Sequence, residues 1–226
     1  MMHDETPLLT VRGPWGVPVQ IAPSFLFLGL LFIGFSPDLN GLIFFGLIVL
    51  AIFLHEFGHA WGCLVQGQPV RRVVLWGGGG FCEQQRTATA RETELIVIMG
   101  PLVNLALWAM SSLAASWMVN LATPPLGDLW WDIEFWLFTF AQINIVLFVL
   151  NLVPVQPLDG GRLFHLGLLR LVRPEIAVRV AGAVGLCLAV LWVPGMIFAY
   201  ITWGYALLFM PPIALHWHMM RGRAAF

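Results

Sequence analysis

Two histidines and a glutamate stand inside a long apolar stretch of the sequence, in the order His55, Glu56 and His59. Because His55 and His59 are four residues apart, a helix would place their side chains on one face, one turn apart. Two imidazoles at that spacing can bind one Zn²⁺, and Glu56 beside them can accept a proton from a metal-bound water. The pattern therefore predicts metal-assisted hydrolysis, with two histidine ligands and a glutamate base.

The surroundings of this motif make a functional role more plausible than the short pattern alone. Residues 41–54 carry no charge, and no proline occurs between Asn40 and Gln68. Ionisable groups at membrane depth cost about 2.5–3.5 kcal/mol each on insertion scales, so three together favour chemistry. The alternative is a set of buried polar residues that join helices to one another.

A catalytic zinc usually has three protein ligands and one water, so one more ligand is expected. Asp159 is the best candidate, since Pro154 and a second proline free the backbone before it from helical structure. Gly160 and the glycine after it allow a sharp turn, and irregular backbone at membrane depth is tolerated only beside protein or water. The alternative interpretation is an ordinary Asp-Gly-Gly turn at the membrane surface.

The composition indicates which kind of scaffold must position these residues. The chain has 226 residues, of which 59% are hydrophobic and 10% are charged, whereas soluble domains carry about 25% charged residues. We therefore expect an all-α polytopic membrane protein of about six transmembrane helices, with a small β-hairpin or sheet on the cytoplasmic side. The formal net charge is −1 and there is no basic run, so no nucleic-acid partner is predicted.

The whole chain, residues 1–226, is interpreted as a single domain made of five parts. The parts are a surface segment (1–20), helices 1 and 2 (21–66), a glycine-rich β insert (67–94), helices 3 and 4 with the Leu-Asp-Gly segment (95–172) and the C-terminal helices (173–226). Within these parts we expect a break in helix 3 at Gly100-Pro101 and a loop at 122–134. The last two spans are predicted at 181–193 and 196–215.

The distribution of arginine predicts the orientation in the membrane. With a cytoplasmic amino terminus and six crossings, all eleven arginines fall on the inner side, and the charged residues of the outer turns are all acidic. The positive-inside rule then predicts a multi-pass protein of the cell (inner) membrane with both termini cytoplasmic.

Several motifs together resemble the site-2 protease family of intramembrane zinc metalloproteases. His-Glu-x-Gly-His at 55–59 and Asn-x-x-Pro-x-x-x-Leu-Asp-Gly-Gly at 151–161 are both complete. Gly100-Pro101-x-x-Asn104 matches a third element of the family, and the stretch 17–24 is similar to the entry into the first helix of bacterial members. The resemblance covers roughly residues 12–172, and the rest has no room for a PDZ or CBS domain, which implies a compact form.

This resemblance implies regulated intramembrane proteolysis with one Zn²⁺ per chain. The substrate would be a membrane-anchored protein, cut in or near its transmembrane helix within the lipid bilayer. By family position Asn104 would stabilise the oxyanion, although an asparagine that bonds a neighbouring helix would look the same. Asn151, Pro154 and Gly160 are expected to support the site. The alternative function is a non-catalytic membrane protein of the same fold that binds transmembrane segments.

Four weaker interpretations remain from the sequence. An exposed strand edge within residues 70–85 could pair with an unwound substrate. Cys63, one turn after His59, is interpreted as core filler. His216 and His218 are interpreted as residues of the membrane interface. A metal transporter is disfavoured because the first helix and the last two carry almost no polar residues for a path through the membrane.

Overall fold

The computed structural model describes residues 6–35, 38–121, 127–203 and 209–223. Its helices are α1 (Ser24–Phe35), α2 (Leu39–Leu64), α3 (Ala90–Val119), α4 (Asp128–Leu152), α5 (Asp159–Leu169), α6 (Pro174–Trp203) and α7 (Ile213–Met220). Its strands are β1 (Leu9–Arg12), β2 (Pro18–Ile21), β3 (Val70–Trp76) and β4 (Gly79–Gln84). The chain divides into two compact units, residues 1–148 and 149–226. The interpretation of residues 1–226 as a single domain stays a prediction.

Four of the described helices, α2, α3, α4 and α6, are long and apolar enough to cross a membrane. Large apolar side chains stand exposed on them, among them Leu42, Met110, Leu113 and Leu191. Many exposed apolar side chains on helices of this length are typical of contact with lipid. The predicted class, a helical membrane protein with a small sheet, is therefore confirmed, while the number of crossings stays a prediction.

Four predictions about where helices begin or break are wrong. Helix α3 begins at Ala90, because Thr89 and Glu92 form a reciprocal capping box at its start, and it continues through Pro101 without a break. Helix α4 begins at Asp128 rather than after a loop that reaches residue 134. The predicted break between the last two spans is absent, because α6 runs through Pro194 to Trp203. Of the rest of the second predicted span, residues 204–208 lie outside the described part of the chain, and residues 213–215 belong to α7. Long apolar helices tolerate an internal proline, since neighbouring groups can bond the carbonyl that it leaves without a donor.

The strands form one four-stranded sheet in the order β1-β2-β3-β4. The predicted hairpin is confirmed as the antiparallel pair β3–β4, with Gly79 at φ +124° beside its turn. Strands β1 and β2 lie within the predicted surface segment (1–20), and the sequence did not indicate that this segment joins the sheet. There β1 and β2 are antiparallel, while β2 runs parallel to β3. The Arg72 guanidinium donates to Gln20 and Glu83, so it ties β2 and β4 to its own strand, β3.

The sheet packs on α2 around one buried apolar cluster within residues 1–148. The cluster consists of Val17, Val19, Phe57, Ala60, Cys63, Val70, Val73 and Ile96. Helix α3 approaches α2 closely because two glycines of α2 face it. A Cβ added to Gly58 would lie 2.7 Å from the Met99 carbonyl oxygen, and one added to Gly62 would lie 2.9 Å from the Ile96 Cα. Small residues four apart allow such close backbone contact.

Within residues 149–226, α7 lies antiparallel along α6. A Cβ added to Gly182 would lie 2.7 Å from Met219, and one added to Gly185 would overlap the His216 ring. Further along α6, the Trp192 indole N–H donates to the Phe209 carbonyl oxygen at 2.7 Å. Residue numbers increase along α6 while those of their contacts in the later segment decrease. The end of α7 therefore lies beside the start of α6.

Candidate metal centre

The two predicted histidine ligands lie on one face of α2 with their Nε2 atoms 3.0 Å apart. The His55 Nδ1 atom is 2.5 Å from the Asn104 Oδ1 atom, and the His59 Nδ1 atom is 2.8 Å from the Ile96 carbonyl oxygen. Both of those partners are oxygen acceptors, so Nδ1 is the donor in each of these two bonds. The lone pairs of the two Nε2 atoms therefore point toward a common region.

This arrangement suits a divalent cation better than it suits two imidazoles alone. Two lone pairs at 3.0 Å repel each other unless a cation or a proton lies between them. A zinc ion bound by two imidazoles at about 2.0–2.1 Å in tetrahedral geometry holds their nitrogens about 3.3–3.4 Å apart. Oxygen acceptors on the far nitrogens are the usual outer partners of histidine ligands. The pair thus fits a zinc ion once the distance between the two Nε2 atoms increases slightly.

Glu56 lies beside the pair, and its carboxylate and the two ring nitrogens lie within 4.8 Å of one another. All three residues are buried. Strand β4 covers the carboxylate, since a Cβ added to Gly80 would lie 2.5 Å from the Glu56 Cγ atom. A glutamate this close to both imidazoles can serve as a base next to the metal or as a further ligand.

Helix α3 closes one side of the histidine pair through Gly100. A Cβ added there would lie 2.5 Å from the His59 Nε2 atom and 2.8 Å from the His55 Cε1 atom. Only glycine fits at this position without moving the imidazoles. The close approach of α3 is also what brings the Ile96 carbonyl oxygen within reach of the His59 ring.

Asn104 lies fully buried on α3, and both its side-chain oxygen and its side-chain nitrogen make hydrogen bonds. Its oxygen accepts from His55, and its Nδ2 donates to the Asn144 Oδ1 atom at 2.8 Å and to the Ala51 carbonyl oxygen at 3.5 Å. Asn144 in turn donates to the Phe140 carbonyl oxygen at 2.8 Å. A chain of side-chain bonds therefore runs from His55 through α3 to α4. These bonds favour a role in orienting His55, while the oxyanion role of Asn104 stays a prediction.

Asp159, the predicted third ligand, belongs to the second unit and is the first residue of α5. Its side chain is buried. A Cβ added to Gly160 would lie 2.5 Å from the Val153 carbonyl oxygen, so this glycine lets α5 begin directly against the preceding loop. Asn151 lies in the last turn of α4, and Pro154 lies in the bend that follows. The shared coordination of one metal by Asp159 and the histidines stays a prediction.

Some of the residues that build this centre were not singled out from the sequence. Gly58 and Gly62 carry the small-xxx-small signal, which would have indicated close helix packing. Asn144 on α4 was not among the predicted site residues. The contact of Gly80 with Glu56 has no local sequence signal, since it depends on how β4 packs on α2. Cys63, as expected, is a fully buried member of the apolar core.

Comparison of the sequence with known proteins gives three results. The sequence model of Peptidase family M50 matches residues 117–192. A zinc metalloprotease of Methanocaldococcus jannaschii is 26% identical over 181 residues, which is 78% of this chain and 50% of that protein. Stage IV sporulation protein FB of Bacillus subtilis is 33% identical over 121 residues, or 53% of this chain and 38% of that protein. The chain thus spans half or less of these curated relatives.

A solved structure, the site-2 protease from Methanocaldococcus jannaschii, has the same fold. The two structures superpose with a TM-score of 0.62 at 21% sequence identity. The alignment covers 95% of this chain and 93% of the solved chain. The resemblance that the motifs predict is therefore confirmed.

Proposed function

We propose that this chain, which resembles the site-2 proteases in motifs and fold, is a zinc endopeptidase of the membrane. It would hydrolyse peptide bonds in or near the transmembrane helix of membrane-anchored proteins. The observation that carries this proposal is the pair of buried imidazoles, whose Nε2 atoms converge to 3.0 Å next to Glu56. The name of the first relative, zinc metalloprotease, supports zinc as the metal.

The residues of the centre divide the work of peptide hydrolysis. His55, His59 and Asp159 would hold the ion, which when bound polarises the scissile carbonyl and lowers the pKa of water to about 7. Glu56 accepts a proton from the attacking water and passes it to the leaving amine. The buried, apolar surroundings strengthen each of these electrostatic interactions, because little water screens them.

Asn104 is proposed as a positioning residue for His55. Its amide oxygen fixes the His55 ring with Nδ1 protonated, which leaves Nε2 for the metal. The two other bonds of the same amide keep it in that orientation. Oxyanion stabilisation by Asn104 is the competing assignment, and it would require these bonds to be exchanged during the reaction.

The outer edge of β4 is proposed as the surface that holds an unwound substrate. No described strand pairs with that edge, and β4 is the last strand in the sheet order. A peptide added there as a further strand would run past Gly80, whose backbone lies against Glu56. The scissile carbonyl would thereby reach the base without a separate docking step.

The proposed location is the cell (inner) membrane, with both termini in the cytoplasm. The antiparallel packing of α7 on α6 supports this orientation for the carboxyl terminus. A Cβ added to Gly222 would lie 3.2 Å from the Arg179 Nε atom, so the end of α7 and the arginine-bearing start of α6 share one side. The positive-inside rule assigns that side to the cytoplasm.

The test is a comparison of the wild-type chain with Glu56→Gln, each co-expressed with single-span membrane proteins. Mass spectrometry of the fragments should find cleavage sites that depend on Glu56, while the purified variant still holds one zinc per chain. Loss of zinc in Glu56→Gln would show that Glu56 is a ligand rather than the base. Identical fragments from both chains would favour the alternative, a non-catalytic protein that binds transmembrane segments.

A further inference from the structure

A histidine outside the metal centre lies buried in the second unit. His216 on α7 has 1% of its surface exposed, so the predicted position at the membrane interface is wrong. Its Nε2 atom is 3.3 Å from the Gln156 carbonyl oxygen. A carbonyl can only accept, so Nε2 carries the proton and donates it. A buried polar side chain in a segment this apolar is costly unless it is bonded, which makes this bond significant.

The carbonyl that His216 bonds belongs to the loop that leads to Asp159. Gln156 is three residues before Asp159, between the end of α4 and the start of α5. The loop makes two bonds of its own, from the Val155 amide to the Val153 carbonyl and from the Leu158 amide to the Val155 carbonyl. The bond from His216 adds an anchor from a different element, some 60 residues later in the chain.

The imidazole of His216 is fixed from its other side by α6. A Cβ added to Gly185 would overlap the His216 ring near its Nδ1 atom, so the ring lies directly on the α6 backbone. The ring is therefore held between Gly185 and the loop. Any side chain at position 185 would push the ring toward the loop or turn it away from the Gln156 carbonyl.

We propose that His216 is a positioning residue for Asp159. By holding the Gln156 carbonyl, it fixes the loop that presents the carboxylate at the start of α5. This inference rests on the proposed function, since it takes Asp159 to be a metal ligand. It assigns the C-terminal helix a part in metal binding although α7 supplies no ligand.

The experiment measures the zinc dissociation constant by chelator competition, together with the thermal midpoint of each purified variant. His216→Leu removes the donor and should weaken zinc binding about tenfold, the lower end of what outer partners of ligands contribute. His216→Gln keeps an N–H near the position of Nε2 and should recover most of the affinity. A residue with only a structural role would lower the thermal midpoint and leave the zinc dissociation constant of the folded protein unchanged.

A second pair of variants keeps His216 and tests the effect of displacing its ring. Gly185→Ala displaces the His216 ring and should also weaken zinc binding. Gly195→Ala is the matched control on the same helix, because a Cβ there meets no described atom within 4 Å. This pair decides the question if His216→Leu does not fold.

Asp159→Asn separates the two proposals. If Asp159→Asn binds zinc as the wild type does, the proposed ligand set is wrong. If Asp159→Asn weakens binding while His216→Leu and Gly185→Ala leave it unchanged, the ligand set stands and the role of His216 is overturned. Weaker binding in all three, with rescue by His216→Gln, supports the inference.

Discussion

The histidine pair and Asp159 are presented by two different kinds of backbone. His55 and His59 lie on the regular helix α2, where four-residue spacing alone aligns them, and each ring is bonded to α3. Asp159 begins a helix after a loop with two prolines, and a distant histidine bonds that loop. Ligands on a regular helix are pre-arranged by local geometry. A ligand at the end of an irregular loop depends on tertiary contacts for its position.

The largest effect is expected from removing one of the two proposed ligands on α2. His59→Ala should weaken zinc binding by more than about a hundredfold, because losing a ligand exceeds the 10–100-fold effect of losing an outer partner. Chelator competition and metal content measure this. His218→Ala, which removes an exposed imidazole from α7, is the control. Zinc retention by His59→Ala together with loss in Asp159→Asn would reverse the comparison between the two regions.

Filling the space over the histidines should have the next largest effect. Gly100→Ala places a methyl group 2.5 Å from the His59 Nε2 atom. Overpacking of a close-packed site typically costs about 1–3 kcal/mol, so zinc affinity should fall by up to about a hundredfold. Gly46→Ala on α2 is the matched control, since a Cβ there has no described neighbour within 4 Å. Equal zinc affinity in both variants would mean that the pair can move aside freely.

Removing the acceptor of the His55 ring should weaken binding about tenfold. Asn104→Leu leaves the His55 Nδ1 proton without its oxygen, so the ring loses its fixed orientation. Zinc titration and kcat should both change if Asn104 positions the ligand. A fall in kcat at unchanged zinc affinity would instead favour the oxyanion role. Asn120→Leu, at an exposed position after α3, is the control.

The smallest expected effect concerns the sheet beside Glu56. Burial raises the pKa of the Glu83 carboxyl, but bonds and charges from Arg72 and Arg71 outweigh it, so the pKa lies below its ordinary value. The stabilisation is therefore present above the unfolded pKa of about 4.3 and is lost as the pH falls through the lower folded pKa. Glu83→Gln should lower the thermal midpoint by about 1–3 °C at pH 7. The difference from the wild type should shrink at acid pH.

The regular parts of this molecule were predictable from the sequence, and they include the histidine pair. The helical spacing of His55 and His59 predicts their shared face, and the glycines after Trp76 predict the β3–β4 hairpin. Both signals are local, because neighbouring residues in the chain determine them. The proline-rich loop before Asp159 was also visible, since proline and glycine restrict or free the backbone at their own positions.

What the sequence did not predict depends on residues far apart in the chain. The parallel pairing of β2 with β3 joins Val19 to Val73 across two helices. The continuity of α6 through Pro194 contradicted a local rule, because long apolar helices tolerate proline. His216 was assigned to the membrane interface from its place near the C-terminal arginines. Its burial follows from the bare backbone at Gly185, which no local pattern indicates.

The contact of Gly100 with both imidazoles leaves the histidine pair accessible from one side only. On the α3 side the rings meet main chain with no space for even a methyl group. A metal ion held by the proposed histidine ligands would therefore receive its other partners from the side away from α3. The side from which a substrate is attacked would then follow from the absence of a side chain at Gly100 and from the position of α3.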